Sequence, residues 1–197
     1  MINVVDGRSC EPDWFDTAFG RDGLVALELG CGRGEYTLAL ARSRPDRGVL
    51  GVDRNGGRLW KGARLALDER LTNAFFLRSP IELLEDHVPP GRIDEIWLPF
   101  PDPLSKHRQA SRRLTSALFL VRYRRLLAPG GFIRLKTDDS HLVTFAERAV
   151  RDAGGRVLEA SAGPVGADGT VTAVRTTYEE RYRREGRTIH EREFRFD

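Results

Sequence analysis

The sequence is poor in cysteine, in lysine and in long apolar runs, and these shortages exclude several classes of protein. Two cysteines, Cys10 and Cys31, cannot build a disulfide framework or a four-ligand zinc site. The histidines at 87, 107, 141 and 190 have no metal-ligand spacing, so no metal is expected. No run approaches the roughly 18 apolar residues that a membrane-spanning helix needs. Met1 to Gly20 has neither a basic n-region nor an apolar h-region. No signal peptide is therefore expected, and the cytoplasm is the expected location. Repeats and low-complexity tracts are absent too. What remains is a 197-residue chain, 40% hydrophobic and 31% charged, which suits one domain with a proper core, 1–197. Within it, 1–23 reads as an N-terminal segment. The stretch 161–175, glycine-rich over Ser161–Gly169, reads as a mobile loop.

The net charge of +3 is modest, but its distribution is uneven. Between Pro101 and Arg125 stand Lys106, Arg108, Arg112, Arg113, Arg122, Arg124 and Arg125, against Asp102 alone. The rest of the chain is net acidic. A basic patch on an acidic protein points to a polyanion partner, although a run of charges also reads as a solvated face.

Apolar runs of strand length alternate with amphipathic runs of helix length. Strands are predicted over Leu24–Cys31, Val49–Arg54, Ala74–Ser79, Asp94–Phe100 and Phe132–Thr137. Helices are predicted over Glu35–Ser43, Arg58–Arg70, Ser116–Leu127, His141–Asp152 and Thr177–Glu185, with a short helical turn at Ile81–Asp86. Pro129-Gly130-Gly131 reads as a breaker. Thr188–Phe196 reads as a last strand, antiparallel at the edge or inside the sheet. Alternating strands and helices imply an α/β fold, a mostly parallel sheet with helices on both faces. Ligands of such folds bind at the carboxyl ends of the strands. Here those ends read Glu28-Leu29-Gly30, Asp53, Ser79, Phe100-Pro101-Asp102 and Thr137-Asp138.

Gly30, Gly32 and Gly34 form a glycine loop between the first strand and its helix, where a backbone can turn sharply and approach a ligand. A dinucleotide prefers G-x-G-x-x-G, but here the third glycine comes one position early. Glu28 would also repel a pyrophosphate. S-adenosylmethionine has no phosphate and carries an ammonium and a sulfonium, so an acid at that place suits it. Asp53 is placed to accept hydrogen bonds from ribose hydroxyls. Asp102 lies between two prolines that fix its backbone, and reads either as a turn residue or as a held carboxylate. Asp138 reads either as the N-cap of the helix near His141 or as a site carboxylate, and Thr176 with Glu179 as a capping pair or as site residues.

Taken in order, Glu28 to Gly34, Phe100-Pro101-Asp102-Pro103 with Lys106, Arg112-Arg113-Leu114, Thr137-Asp138 and Thr176-Thr177-Tyr178-Glu179 give the chain its likeness to a known family. From Leu24 onward the chain resembles the bacterial tRNA (guanine-N7-)-methyltransferases. The glycine loop is common to many methyltransferases, whereas Pro-Asp-Pro with the lysine and paired arginines, and Thr-x-Tyr-Glu, are far more specific. The resemblance implies a Rossmann-like class I methyltransferase fold with a seven-stranded sheet. It also implies S-adenosylmethionine as cofactor and a guanine of the tRNA variable loop as target. It places cofactor contacts at Glu28, at the glycine loop, at Asp53, around Ser79 and at Asp102. Asp102 takes the catalytic or guanine-contacting role. Substrate contacts fall at Lys106, Arg112, Arg113, Asp138, Thr176 and Glu179. The family often has Trp where Leu104 stands and His where Gln109 stands. Two other readings stay open on the residues alone: a methyltransferase for a small molecule or a protein, and a nucleotide-binding module without catalysis.

Overall fold

Runs of Val, Leu, Ile and Phe that are too short for helices become the strands, and one sheet gathers them all. The computed structural model describes residues 3–159 and 174–196, so the loop expected at 161–175 lies, up to 173, outside the described residues. In chain order the elements are β1 (Val4–Asp6), α1 (Trp14–Phe19), β2 (Val25–Leu29), α2 (Glu35–Ser43), β3 (Gly48–Asp53), α3 (Gly56–Asp68) and β4 (Ala74–Arg78). Then come β5 (Ile93–Pro99), α4 (Ala117–Leu126), β6 (Leu127–Thr137), α5 (Ser140–Asp152), β7 (Arg156–Glu159), α6 (Thr177–Arg184) and β8 (His190–Arg195). Single 3-10 turns stand at Ile81–Asp86 and His107–Arg112.

The strand order is β1-β4-β3-β2-β5-β6-β8-β7. The first six strands of the chain run parallel; β8 is antiparallel to both β6 and β7. The chain leaves β2 toward β3 and β4 on one side and returns to β5 on the other. The order therefore reverses between β2 and β5, which is where open α/β sheets bind ligands. All five residues of β2 are buried, including Glu28. Val25, Leu27 and Leu29 join one apolar cluster with α1, α4 and α5, while Ala26 joins a second with α2 and α3. The period of two thus sends alternate side chains to opposite faces.

The structure differs from the sequence expectations in two places. The sheet has eight strands, because β1 in the N-terminal segment pairs with β4 (Val4 opposite Phe76). That segment also supplies α1, whose Trp14, Phe15 and Phe19 rings pack edge-on or tilted against one another and, through Phe19, against Phe75, at centroid spacings of 4.9 to 6.4 Å. Pro129-Gly130-Gly131 does not break the chain from the sheet. It lies inside β6, where the register against β5 shifts, and glycine suits such a bulge. The last strand takes the inner of the two places expected for it, antiparallel between β6 and β7.

Candidate active site

The glycine loop becomes a turn whose residues play different parts. Gly30, Gly32 and Gly34 have φ of 74°, 57° and 73°, a region that side chains disfavour. Gly30 and Cys31 donate their N–H groups back to Val52 O at 2.8 and 3.0 Å, which ties the turn to β3. A Cβ added to Gly30 or Gly32 would meet nothing within 4 Å, so these two border open space. A Cβ on Gly34 would lie 2.5 Å from the Phe76 ring, so Gly34 packs inward, away from that space. Asp53 closes the turn: its Oδ2 accepts from Gly32 N at 2.9 Å and its Oδ1 from Asn55 N at 2.8 Å. Each oxygen keeps a lone pair for a further donor. Glu28 lies beneath the turn and accepts from the Thr37 hydroxyl of α2. Burial pushes its carboxyl up to about 7, and Asp53 and Glu35 add to the effect. Gly51 makes room for this pair, since a Cβ there would stand 2.5 Å from Thr37 Oγ1. Ser79 is buried and turns its hydroxyl to Pro80 O, so only its backbone borders the strand end.

One strand over, at the ends of β5 and β6, a pocket of about 290 Å³ is lined by Asp102, Asp138, Tyr182 and Arg187, with the Phe100–Pro103 loop as one wall. Phe100 and Leu104 hold φ of 50° and 44°, and such non-glycine residues cost about 1–3 kcal/mol each. The loop is kept in place by Arg113, which donates to Pro103 O at 3.0 Å and Leu104 O at 3.1 Å and lies 4.3 Å over the Phe145 ring. The Asp102 carboxylate itself is exposed and has no partner among the described residues: the backbone is held, the charged group is free. Asp138 accepts from Arg187 at 2.8 Å. The N-cap of α5 is Asp139, whose Oδ1 accepts from Leu142 N at 2.8 Å, so Asp138 is not spent on capping.

The site thus joins a glycine turn over a buried acid to a pocket lined by Asp102, Asp138 and Asp139. The family described as "Putative methyltransferase" matches residues 22–192. The tRNA (guanine-N(7)-)-methyltransferase of Christiangramia forsetii is 38% identical over 179 residues, 89% of this chain and 80% of that protein. The protein of the same name from Porphyromonas gingivalis is 39% identical, over 89% of this chain and 72% of its own. The chain belongs to the tRNA (guanine-N(7)-)-methyltransferase family. Solved methyltransferases share the fold. The aminoglycoside resistance methyltransferase NpmB1 superposes with a TM-score of 0.66 at 22% identity, covering 94% of this chain and 93% of its own. A SAM dependent methyltransferase from Aquifex aeolicus gives 0.55 at 18% identity, over 75% and 81% of the two chains.

In this methyltransferase the C-terminal motif packs inward. Thr176 caps α6, its Oγ1 accepting from Glu179 N at 3.2 Å. Glu179, expected at the substrate, is fully buried. Its carboxylate lies 2.8 Å from Lys136 Nζ on one side and 2.8 Å from Arg183 on the other, so it anchors α6 to β6. Glu35, at the start of α2, accepts from Thr177 N at 2.9 Å and ties α6 to the glycine turn.

The basic segment divides as well. Helix α4 runs from the carboxyl ends of the strands to their amino ends, about 15 Å for ten residues. Arg122 and Arg125 pair with Glu85 there, and Arg124 lies over Phe196. Arg113, expected at the substrate, is the brace of the Phe100–Pro103 loop. Lys106, Arg108 and Arg112 remain exposed and without an ion-pair partner among the described residues. Arg187, Tyr182, Lys136 and Glu35 were not singled out from the sequence, where Lys136-Thr137-Asp138 and Glu185-Gly186-Arg187 are the only local signals.

Proposed function

We propose that this methyltransferase transfers a methyl group from S-adenosylmethionine to N7 of the guanine at position 46 in the tRNA variable loop, and that it works in the cytoplasm. One observation carries the reading: an exposed, unpartnered carboxylate, Asp102, shares a pocket with Asp138 next to the glycine turn. The turn suits the cofactor. Gly30 and Gly32 border space that a Cβ would fill, Asp53 has lone pairs left for hydroxyls, and Glu28 supplies an acid for a cation. These residues, with the backbone at Ser79, would hold it. When bound, S-adenosylmethionine supplies an electrophilic methyl group on a sulfonium.

Guanine N7 carries a lone pair and no proton, so no general base is required. The residues have to place the base in line and stabilise the positive charge that appears on the purine. Asp102 and Asp138 can do both, by accepting from the guanine N1 and N2 hydrogens and facing the developing cation. Lys106, Arg108 and Arg112 beside the pocket suit backbone phosphates, and a variable loop can present an unstacked base. Asp102 is also within the region we assign to the cofactor.

The test is a tRNA transcript with 7-deazaguanine at the target position. It should bind like the unmodified transcript and accept no methyl group. Methylation of that transcript would remove N7 as the acceptor.

A further inference from the structure

Helix α6 ends on Gly186, whose φ is 73°. Gly186 N–H donates to Arg183 O and Arg187 N–H to Tyr182 O, both at 3.0 Å, the double closure of a Schellman motif. This closure fixes where residue 187 leaves the helix, at the wall of the pocket. There the Arg187 guanidinium lies 4.5 Å over the Tyr182 ring. Its Nη1 donates to Asp138 Oδ2 at 2.8 Å, and its Nε lies 3.0 Å from Glu185 Oε2. Nη2 has no partner among the described residues, and neither has Asp138 Oδ1.

Half-exposed ion pairs of this kind add little stability. What they do is hold a long side chain in one orientation before any ligand arrives, which lowers the ordering cost of a later contact. Nη2 shares its carbon with the Nη1 that holds Asp138, so the unpaired Nη2 lies beside that carboxylate. A free donor and a free acceptor therefore stand side by side. Guanine presents the matching pair, O6 as acceptor and N1–H as donor. Adenine presents the reverse, an amino group and a bare N1.

We propose that Arg187 is a specificity-determining residue: its Nη2 donates to O6 of the target guanine while Asp138 Oδ1 accepts from N1–H. This rests on the guanine reading given above. Nε and Nη1 are both committed to carboxylates. The arginine therefore does not take the bidentate O6 and N7 grip common in nucleic-acid recognition, which would cover the methyl acceptor.

The experiment compares single-turnover methyl transfer to two tRNAs, one with guanine and one with 2-aminopurine at the target position. 2-Aminopurine keeps N7 and the 2-amino group but lacks O6 and N1–H. Its different intrinsic reactivity cancels when enzymes are compared. Arg187→Met keeps an apolar chain over Tyr182 and removes the donor. It should slow transfer to guanine about 10- to 100-fold and leave transfer to 2-aminopurine unchanged, with cofactor affinity as in the wild type. Arg187→Lys, which restores one donor, should recover part of the preference. Equal slowing on both bases would overturn the proposal and leave Arg187 as a support for Asp138, and so would an unchanged preference. Failure of the wild type on both tRNAs would instead overturn the guanine reading beneath it.

Discussion

Between pH 6 and 7.5 the affinity for S-adenosylmethionine should rise by roughly eightfold, with Glu28 as the cause. Its carboxyl titrates at about 7 because burial under the glycine turn outweighs the Thr37 hydroxyl bond, which by itself favours the charged form. About nine in ten molecules carry the proton at pH 6 and about one in four at pH 7.5. A neutral acid offers little to a sulfonium or an ammonium, so binding the cation expels the proton. At pH 6 about 0.9 proton should leave per ligand bound. The window stays below the range where the ligand's own α-amino group titrates, about 7.7–8.0. The same shift has a stability consequence of definite sign. The native value lies above the ordinary 4.5, so the stabilising contribution is complete below 4.5 and is lost as pH rises through about 7. The gap corresponds to on the order of 3 kcal/mol. Glu28→Gln should therefore raise the melting temperature at pH 8, change it little at pH 4, and weaken cofactor binding. The assay is titration calorimetry at pH 6 in two buffers with different ionisation heats. No proton release there, or an affinity flat across the window, would refute the reasoning.

Asp102→Asn should slow single-turnover transfer at saturating cofactor and tRNA by about 10²–10³; a near-wild-type rate would take Asp102 off the catalytic list. Lys106→Ala with Arg112→Ala should reduce the log–log salt slope of tRNA binding by about 0.7–0.9 for each phosphate that is no longer neutralised. Arg122→Ala, at the far end of α4, should leave that slope alone, and filter binding across a salt series separates the two. Lys136→Met leaves the buried Glu179 carboxylate with the part-exposed Arg183 alone and should destabilise the fold in urea unfolding, by less than the roughly 3–5 kcal/mol of a fully unpaired buried charge, with Glu179→Gln added on top recovering part of it.

The order of strands and helices could be read from the alternation of apolar runs because most strands are buried on both faces and most helices on one. The N-terminal segment could not: β1 has only three residues, and α1 gathers its aromatic side chains within six, too few to show a period. The glycine turn and its acids were legible because such residues at a strand end have few other uses. The site beyond them was less so. Asp138 and Asp139 look alike in sequence, and only the backbone decides which caps α5. Glu179 and Arg113 are charged residues whose partners, Lys136 and two backbone carbonyls, are set by the fold. Seven clustered basic residues looked like one patch, yet a ten-residue helix carries three of them toward the amino ends of the strands.

The most direct test of the central claim is to incubate the protein with unmodified tRNA and methyl-labelled S-adenosylmethionine, then reduce with borohydride and cleave with aniline. N7-methylguanine makes the strand labile at its own position. Label should enter the tRNA, with one new cut, at position 46 of the variable loop. Label that resists cleavage, a cut elsewhere, or no label at all would contradict the claim.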